Sequence, residues 1–272
     1  MKKNKNIVIW ANHNQPPPDS ERHWRQPLEN VLLSLGYEKS RPPLADLLKY
    51  YHALKGEWFI ISPVYFHTTH NDSMISQCGP QLNLTPEEGK WYFDKVSDFL
   101  QADNMVLHYH SPTLWLGQMS EPTAIHSHSP AYLHNKSIMP YLRSLGDDLS
   151  WQKLLTESQM YLQSLHLNNQ TNQNVNGLWF WGQGKLTVQH DRIVTDDAAM
   201  LGLKALWPEL VVQSPLEISQ LQKAKHIVLS NFSEGSLEQI NQICQPYPCH
   251  WYWNNITYQQ SAKRWWQLFR RK

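Results

Sequence analysis

Short apolar runs alternate with polar and proline-rich segments along the whole chain. Runs of this length bounded by Gly, Pro, Asn or Ser are typical of buried strands. The sequence therefore predicts strands at residues 7–10, 59–66, 105–110, 178–181 and 226–230. Residues 114–116 are predicted to pair with the strand at 105–110 in a hairpin. Pro63 lies inside the second run, and it indicates a sheet edge or a bulge at that point.

Apolar residues at helical spacing fill the intervals between these runs. The stripes predict helices over residues 44–54, 149–166, 196–206 and 261–272. The strongest local signal is Thr85-Pro86-Glu87-Glu88, in which an N-cap hydroxyl precedes a proline and a glutamate closes a capping box. Residues 121–135 show no period and are expected to form a long surface loop. The alternation of strands and helices is typical of an α/β protein.

The composition narrows the classes of function. A chain of 272 residues can form one large domain or two small ones. Its 24 Lys and Arg against 23 Asp and Glu leave a net charge of +1, which gives no electrostatic basis for nucleic-acid binding. The chain also has neither of the common glycine-rich nucleotide motifs, G-x-x-x-x-G-K-[ST] and G-x-G-x-x-G.

Cysteine usage and apolar run length predict the compartment. Three cysteines, Cys78, Cys244 and Cys249, are too few for a disulfide framework and favour a reducing environment. The basic start of the chain runs into an apolar stretch shorter than a signal-peptide core. Nothing approaches the ~20 apolar residues of a membrane span. We expect a cytoplasmic protein that meets a membrane only through partners or through its basic tail.

One segment resembles a known family. Residues 174–185, NVNGLWFWGQGK, resemble the N-x-[IL]-W-x-W-G-[QG]-G-K/R segment of archaeal-type cofactor-independent phosphoglycerate mutases, which belong to the alkaline phosphatase superfamily. The preceding helix, with Glu157 and residues 158–162, is similar to that of bacterial RpfE-type proteins, although Thr156 replaces their asparagine. Residues 78–88 are similar to a segment of the mutases' small inserted domain.

The resemblance implies a fold and argues against an activity. The mutases transfer phosphoryl groups with a hydroxyl nucleophile beside two metal ions, which need Asp and His ligands at fixed strand ends. This chain has Trp10-Ala11-Asn12 at its first strand end, and residues 226–236 carry one carboxylate and no following histidine. The nucleophile segment has no counterpart either. We therefore expect the fold without the metal site.

The fold implied is a doubly wound α/β core like that of the alkaline phosphatase and phosphoglycerate mutase families. We expect residues 1–58 and 136–272 to form this core and residues 59–135 to form a smaller α+β insert.

Three other groups of residues have a functional and a structural interpretation. His67, His70, Asn71 and Asp72 could join His108 and His110 in a metal site, but a chain with 14 histidines shows such pairs by chance, which we favour. Cys244 and Cys249 resemble half of a zinc knuckle, and structural cysteines are favoured. Asp196 and Asp197 are more readily explained as helix caps than as a catalytic pair.

Two sets of residues remain as candidate contacts, with no catalytic residue, metal or cofactor assigned. A vestigial pocket is expected at the end of the fourth strand, where ligands bind in open α/β sheets. Its residues are Asn176, Trp179, Trp181, Gln183 and Lys185. A partner contact is expected on the aromatic and basic C-terminal helix, because Trp and Arg concentrate at binding hot spots. Its residues are Trp265, Trp266, Arg270 and Arg271.

The sequence favours a catalytically silent, phosphoglycerate-mutase-like protein that binds a protein partner or a small anionic ligand. It would act as an accessory subunit of a larger complex, for example a secretion-system coupling complex, and it could also form homo-oligomers. The alternative is a metal-dependent phosphomutase or phosphatase whose site has moved to the histidine-rich segment.

Overall fold

The computed structural model describes most of the chain and divides it into two compact units. The described residues are 4–121, 124–143, 145–146, 149–168, 174–187, 191–197, 200, 203–204, 206–208, 210–212, 218–231 and 233–262. The first unit takes its described residues from 1–37, 50–53 and 187–272, and the second from 38–49 and 54–186. Both contain strands and helices, so the chain is of the mixed α/β class.

The first unit is built on a seven-stranded sheet. Its strands are β1 (Lys5–Ile9), β2 (Glu21–Arg22), β8 (Ile193–Thr195), β9 (Leu210–Val212), β10 (His226–Leu229), β11 (Cys249–Tyr252) and β12 (Ile256–Gln260). Their spatial order is β2-β12-β11-β1-β10-β8-β9. The five strands from β11 to β9 are parallel, and β12 and β2 add antiparallel pairs at one edge.

Strand β1 lies in the middle of this sheet because it is apolar on both faces. Ile7, Val8 and Ile9 are fully buried, as expected for a strand covered on two sides. In register, Ile7 is opposite Ile227 of β10 and Trp251 of β11. The helices of this unit are α1 (Pro27–Ser34), α7 (Ile218–Lys223) and α8 (Glu234–Cys244). Helix α1 begins at a proline and contacts β1 and β11.

The second unit contains a separate, antiparallel sheet. Its strands are β3 (Phe59–Thr68), β4 (Ser73–Cys78), β5 (Met105–Ser111), β6 (Leu114–Met119) and β7 (Gly177–Trp181). The order is β4-β3-β6-β5, and β7 also pairs with β3. The predicted hairpin of β5 and β6 is confirmed.

Pro63 occupies a gap in the pairing of the long central strand β3. On β3, residues 59–61 pair with β6 and residues 64–68 pair with β4, so neither strand uses position 63. Of the two predicted alternatives, the sheet edge is wrong, because β3 is central and Pro63 is opposite Leu178 of β7, whereas β3 does have a register shift against β4 nearby, between Tyr65 and Phe66. The absent N–H is tolerated at a point where no ladder bond to β6 or β4 is made.

The following helices lie wholly or mostly in the second unit. They are α2 (Leu44–Tyr51), whose last two residues belong to the first unit, α3 (Pro86–Leu100), α4 (Pro130–Leu133), α5 (Met139–Leu142) and α6 (Ser150–Asn168). Residues 79–82 and 101–103 form single 3₁₀ turns. The predicted capping box is present: Thr85 Oγ1 accepts a hydrogen bond from Glu88 N, and Glu88 Oε2 accepts one from Thr85 N. Helix α6 contacts β7.

The second unit is larger than the insert expected from the sequence. It extends to Leu186, beyond the range 59–135, because β7 pairs with β3 over Ile60–Val64. The predicted C-terminal helix, with Trp265, Trp266, Arg270 and Arg271, lies outside the described residues, as does much of the helix expected at 196–206. Within the described ranges, no helix combines the length and the apolar character needed to cross a membrane.

Candidate functional site

The carboxyl ends of the parallel strands in the first unit form the candidate site. Open α/β sheets bind their ligands at this edge, because the loops that follow the strands meet there. Strand β1 ends at Ile9 and leads into Trp10 and Ala11, whereas β8 leads into Asp196 and β10 into Ser230. Adjacent parallel pairing of β1 with β10 and of β10 with β8 brings these three strand ends side by side.

Asp196 is held by the neighbouring strand end. Its Oδ1 accepts hydrogen bonds from Ser230 N at 2.7 Å and Ser230 Oγ at 3.1 Å, and its Oδ2 accepts one from Asn231 N at 2.9 Å. Both oxygens of the carboxylate are therefore engaged in joining β8 to β10. The helix that Asp196 was expected to cap lies largely outside the described residues, so capping stays a prediction.

On the other side of β1, the loop after the strand is joined to the turn between β11 and β12. Asn255 Oδ1 accepts a hydrogen bond from His13 N at 2.9 Å, and Asn255 Nδ2 donates one to His13 O at 3.2 Å. Asn254 N donates to Ala11 O at 3.0 Å, and the His13 ring packs edge-on against Trp253. This loop is consequently fixed to the sheet edge through backbone groups.

A charged pair is buried next to the turn between β11 and β12, where Arg25 N donates a hydrogen bond to Asn254 O. Arg25 lies just before α1 and Glu29 in its first turn, and they are 4% and 3% exposed. Burial lowers the pKa of Arg25, while the Glu29 carboxylate and Tyr252 oppose that shift, so the guanidinium keeps its charge. Burial also raises the pKa of Tyr252 to about 12, and its hydroxyl is 2.9 Å from His250 Nδ1.

Several polar atoms around this pair are buried and form no hydrogen bond with any described residue. They are Nε of Arg25, Oδ1 of Asn30 and Oδ1 of Asn254. Burial, and secondarily the Arg25 charge, lower the pKa of His23 to about 3, so its ring is neutral at physiological pH. Buried polar groups need partners, and this set offers both donors and acceptors to a small polar group.

These site residues were missed from the sequence. Residues 11–26 are polar and rich in proline, which predicts a surface loop. The available signal was the start of α1, where Pro27 and Leu28 are followed by the polar residues Glu29 and Asn30 within the first turn.

The pocket predicted at Asn176, Trp179, Trp181, Gln183 and Lys185 lies in the second unit. Asn176 bonds to the backbone of β3, and Gln183 Oε1 accepts a hydrogen bond from Ile125 N at 2.6 Å. Trp179 and Trp181 are in the core, where their Nε1 atoms donate to His128 O and Ser62 Oγ respectively. Lys185 is exposed. The predicted burial of this strand is confirmed, and the pocket itself stays a prediction.

The histidines of β3 and β5 do not converge. His108 is opposite Leu116, which is itself opposite Ile60, so His108 is level with Ile60 on β3. His67 lies seven residues beyond Ile60 on β3, and at about 3.3 Å per residue this separates His67 from Ile60 by roughly 23 Å along the strand. Within the part of the chain that the structure describes, no three His, Cys, Asp or Glu side chains are grouped closely enough to hold a metal ion.

The comparisons with known proteins include a distant structural likeness. No family model matches the chain, and no curated protein matches it. Among solved structures, the chain is similar to the cofactor-independent phosphoglycerate mutase from Thermoplasma acidophilum DSM 1728. The identity is 11%, the match covers 96% of this chain and 90% of that one, and the TM-score is 0.37. A TM-score this low does not assign the chain to that fold, and its mixed α/β class follows from its own strands and helices.

Proposed function

We propose that this chain is a binding protein without phosphoryl-transfer activity: a catalytically silent, phosphoglycerate-mutase-like accessory subunit of a larger complex in the cytoplasm. The observation that carries the proposal is the set of hydrogen bonds that the Asp196 carboxylate accepts. This carboxylate stands where open α/β sheets place their chemistry, and its oxygens accept three hydrogen bonds from Ser230 and Asn231. It acts as a connection between two strands.

Phosphoryl transfer on two metal ions requires metal-ligating side chains at the same strand ends. Carboxylates there must direct their oxygens towards the metal ions, and imidazoles must complete the ligand set. In this chain β1 leads into Trp10 and Ala11, and β10 leads into Ser230 and Asn231. These side chains are poor metal ligands, which supports the binding role.

The same edge has features that suit binding of a small polar ligand. The buried Nε of Arg25 can donate a hydrogen bond, and the buried Oδ1 atoms of Asn30 and Asn254 can accept one. The guanidinium of Arg25 and the N-terminus of α1 favour a ligand with an anionic group, although Glu29 offsets part of that charge. The protein partner is proposed to contact Trp265, Trp266, Arg270 and Arg271, and a secretion-system coupling complex is one setting for such a subunit.

An activity assay tests the proposed absence of phosphoryl-transfer activity. Purified protein is assayed against phosphomonoesters, including phosphoglycerates, with added manganese, and its metal content is measured. We expect no turnover in the wild type or in Asp196→Asn. Turnover that is abolished by Asp196→Asn, or by His67→Ala or His108→Ala, together with stoichiometric bound metal, would instead support the metal-dependent phosphomutase or phosphatase.

A pull-down tests the partner contact. Tagged wild-type protein is compared with a variant in which Trp265, Trp266, Arg270 and Arg271 are all alanine, expressed in the native organism. We expect a specific partner of the wild type to be lost from the variant while circular dichroism stays unchanged. A matched variant, Lys90→Ala with Lys153→Ala, controls for loss of surface charge. Identical partners in all three samples contradict the proposed contact.

A further inference from the structure

Two cysteines lie together at the amino end of the parallel sheet, opposite the candidate site. Cys244 is the last residue of α8, and Cys249 is the first residue of β11. The four residues between them form a tight turn, in which Tyr247 N donates to Cys244 O at 2.9 Å. Because the chain folds back, Cys249 Sγ lies 3.5 Å from Cys244 O and 3.5 Å from Tyr247 O. The Cys249 thiol is thereby held against the end of α8 that carries Cys244.

A buried lysine accompanies the pair. Lys5 of β1 is directly opposite Cys249 of β11, and it is 3% exposed. Its ammonium group donates hydrogen bonds to Leu221 O at 3.1 Å, Gln222 O at 2.9 Å and Ala224 O at 2.5 Å, at the end of α7. It also lies 4.7 Å from the centre of the Tyr247 ring. Burial lowers the pKa of Lys5, and electrostatic interaction with Cys244 and Cys249 opposes that shift.

This arrangement makes the two thiols chemically unequal. The hydrogen bond from Cys244 to Cys249 lowers the pKa of the Cys249 thiol, and the Lys5 charge acts in the same direction against burial. The same hydrogen bond, together with burial, raises the pKa of Cys244. Thiolates react with oxidants and thiols do not, so Cys249 is the reactive partner and Cys244 the one that resolves the product.

We propose that Cys249 and Cys244 form a redox site that hydrogen peroxide oxidises to an intramolecular disulfide. The Cys249 thiolate attacks one peroxide oxygen, the O–O bond breaks, and the released hydroxide takes up a proton, which leaves a sulfenic acid on Cys249. The Cys244 sulfur then attacks the Cys249 sulfur, the S–S bond forms, and the sulfenic oxygen leaves as water with the thiol proton. A small-molecule thiol reverses the reaction by thiol–disulfide exchange.

The site is independent of the proposed function. Lys5 and Cys249 begin β1 and β11, whereas the candidate site follows the ends of the strands. A disulfide here joins the end of α8 to the start of β11 inside the hydrophobic core of the first unit. Oxidation is therefore expected to stabilise that unit, since a cross-link restricts the unfolded chain.

Mass spectrometry of the full-length protein tests the proposal. The protein is treated with hydrogen peroxide, its remaining thiols are alkylated under denaturing conditions, and it is digested with trypsin without reduction. Cleavage after Lys225 and after Lys263 releases one tryptic peptide that contains both Cys244 and Cys249. Cys78 falls in another peptide. We expect the first peptide to lose two hydrogens and escape alkylation. Cys78 is also buried and is an internal control that should remain alkylated.

Two variants separate the roles of the sulfur atoms. In Cys244→Ser we expect oxidation to stop at a sulfenic acid on Cys249, which dimedone traps, whereas Cys249→Ser should give no dimedone adduct at Cys244. Lys5→Met should slow oxidation, because it removes a positive charge that lowers the pKa of the Cys249 thiol. Equal oxidation of Cys78, or full alkylation of both cysteines after peroxide treatment of the wild type, would overturn the proposal even if Lys5→Met fails to fold.

Discussion

The side chain of Asn176 pairs with the backbone of Phe66 as if it were a further strand residue. Its Oδ1 accepts a hydrogen bond from Phe66 N at 2.6 Å, and its Nδ2 donates one to Phe66 O at 2.9 Å. The backbone of β7 pairs with β3 only as far as Val64, which is opposite Gly177. The amide of Asn176 therefore extends the contact from Val64 to Phe66, two positions further along β3.

The first prediction concerns this pair. Asn176→Ala should lower the free energy of unfolding by about 1–3 kcal/mol, because it leaves two backbone groups of β3 without their partner. Asn176→Asp keeps the acceptor and loses the donor, so its effect should be intermediate near neutral pH. Urea unfolding followed by circular dichroism measures both, with Asn71→Ala at an exposed position as control. Equal midpoints for all variants would show that the amide has no structural role.

The second prediction concerns Trp179. This side chain is fully buried between β3 and the segment that carries His128. Trp179→Ala should cost about 3–5 kcal/mol as a large-to-small change in a core. Trp24→Ala is the matched control, because Trp24 is 40% exposed and its loss should have a small effect. If the two variants have the same unfolding midpoint, Trp179 is not a core residue.

Local features of this fold were predictable from the sequence. The capping box of Thr85 and Glu88, the hairpin of β5 and β6, and the burial of β7 each depend on residues that are close in the chain. Strand pairing is different. The run Leu178–Trp181 is equally compatible with a parallel or an antiparallel sheet, since all its residues are apolar. Its pairing with β3, more than 100 positions earlier, could not be read from that pattern.

The candidate site shows the same limit. Arg25 and Glu29 have the character of surface residues, yet both are buried, and Arg25 N donates a hydrogen bond to Asn254 O in the turn between β11 and β12. Those segments are over 200 residues apart in sequence. Charged residues such as these become buried when segments that are distant in sequence pack against them. The local sequence pattern does not predict such long-range packing.

The third prediction concerns Asp196. Asp196→Asn replaces one acceptor oxygen by a donor that faces Ser230 or Asn231, so it should lower the free energy of unfolding by about 1–3 kcal/mol. The control is Asp94→Asn, since Asp94 pairs with Lys90 at the surface and should contribute about 0–1 kcal/mol. The midpoint of urea unfolding is the measurement. A stability loss no larger than that of the control would mean that Asp196 does not join β8 to β10.

The last prediction concerns His226 and acid pH. His226 is 2% exposed, its Nδ1 lies 3.3 Å from the Asn6 amide nitrogen, and burial lowers its pKa from 6.5 to about 4. Between these two values the unfolded chain binds a proton that the folded chain does not. The free energy of unfolding should therefore fall as the pH decreases from about 6.5 to about 4, by up to roughly 1.4 kcal/mol per pH unit from this residue.

The change that isolates this contribution is His226→Gln, which removes the titrating ring and leaves the other acidic groups in place. Protein stability is measured by urea unfolding at several pH values between 4 and 7, with His70→Gln at an exposed position as the matched control. We expect the decline towards acid pH to be shallower in His226→Gln than in the wild type. Some decline should persist, because the pKa of His23 is also lowered, to about 3, and this ring excludes a proton in the same range. Equal declines in His226→Gln and the wild type would contradict the burial of a neutral imidazole at position 226.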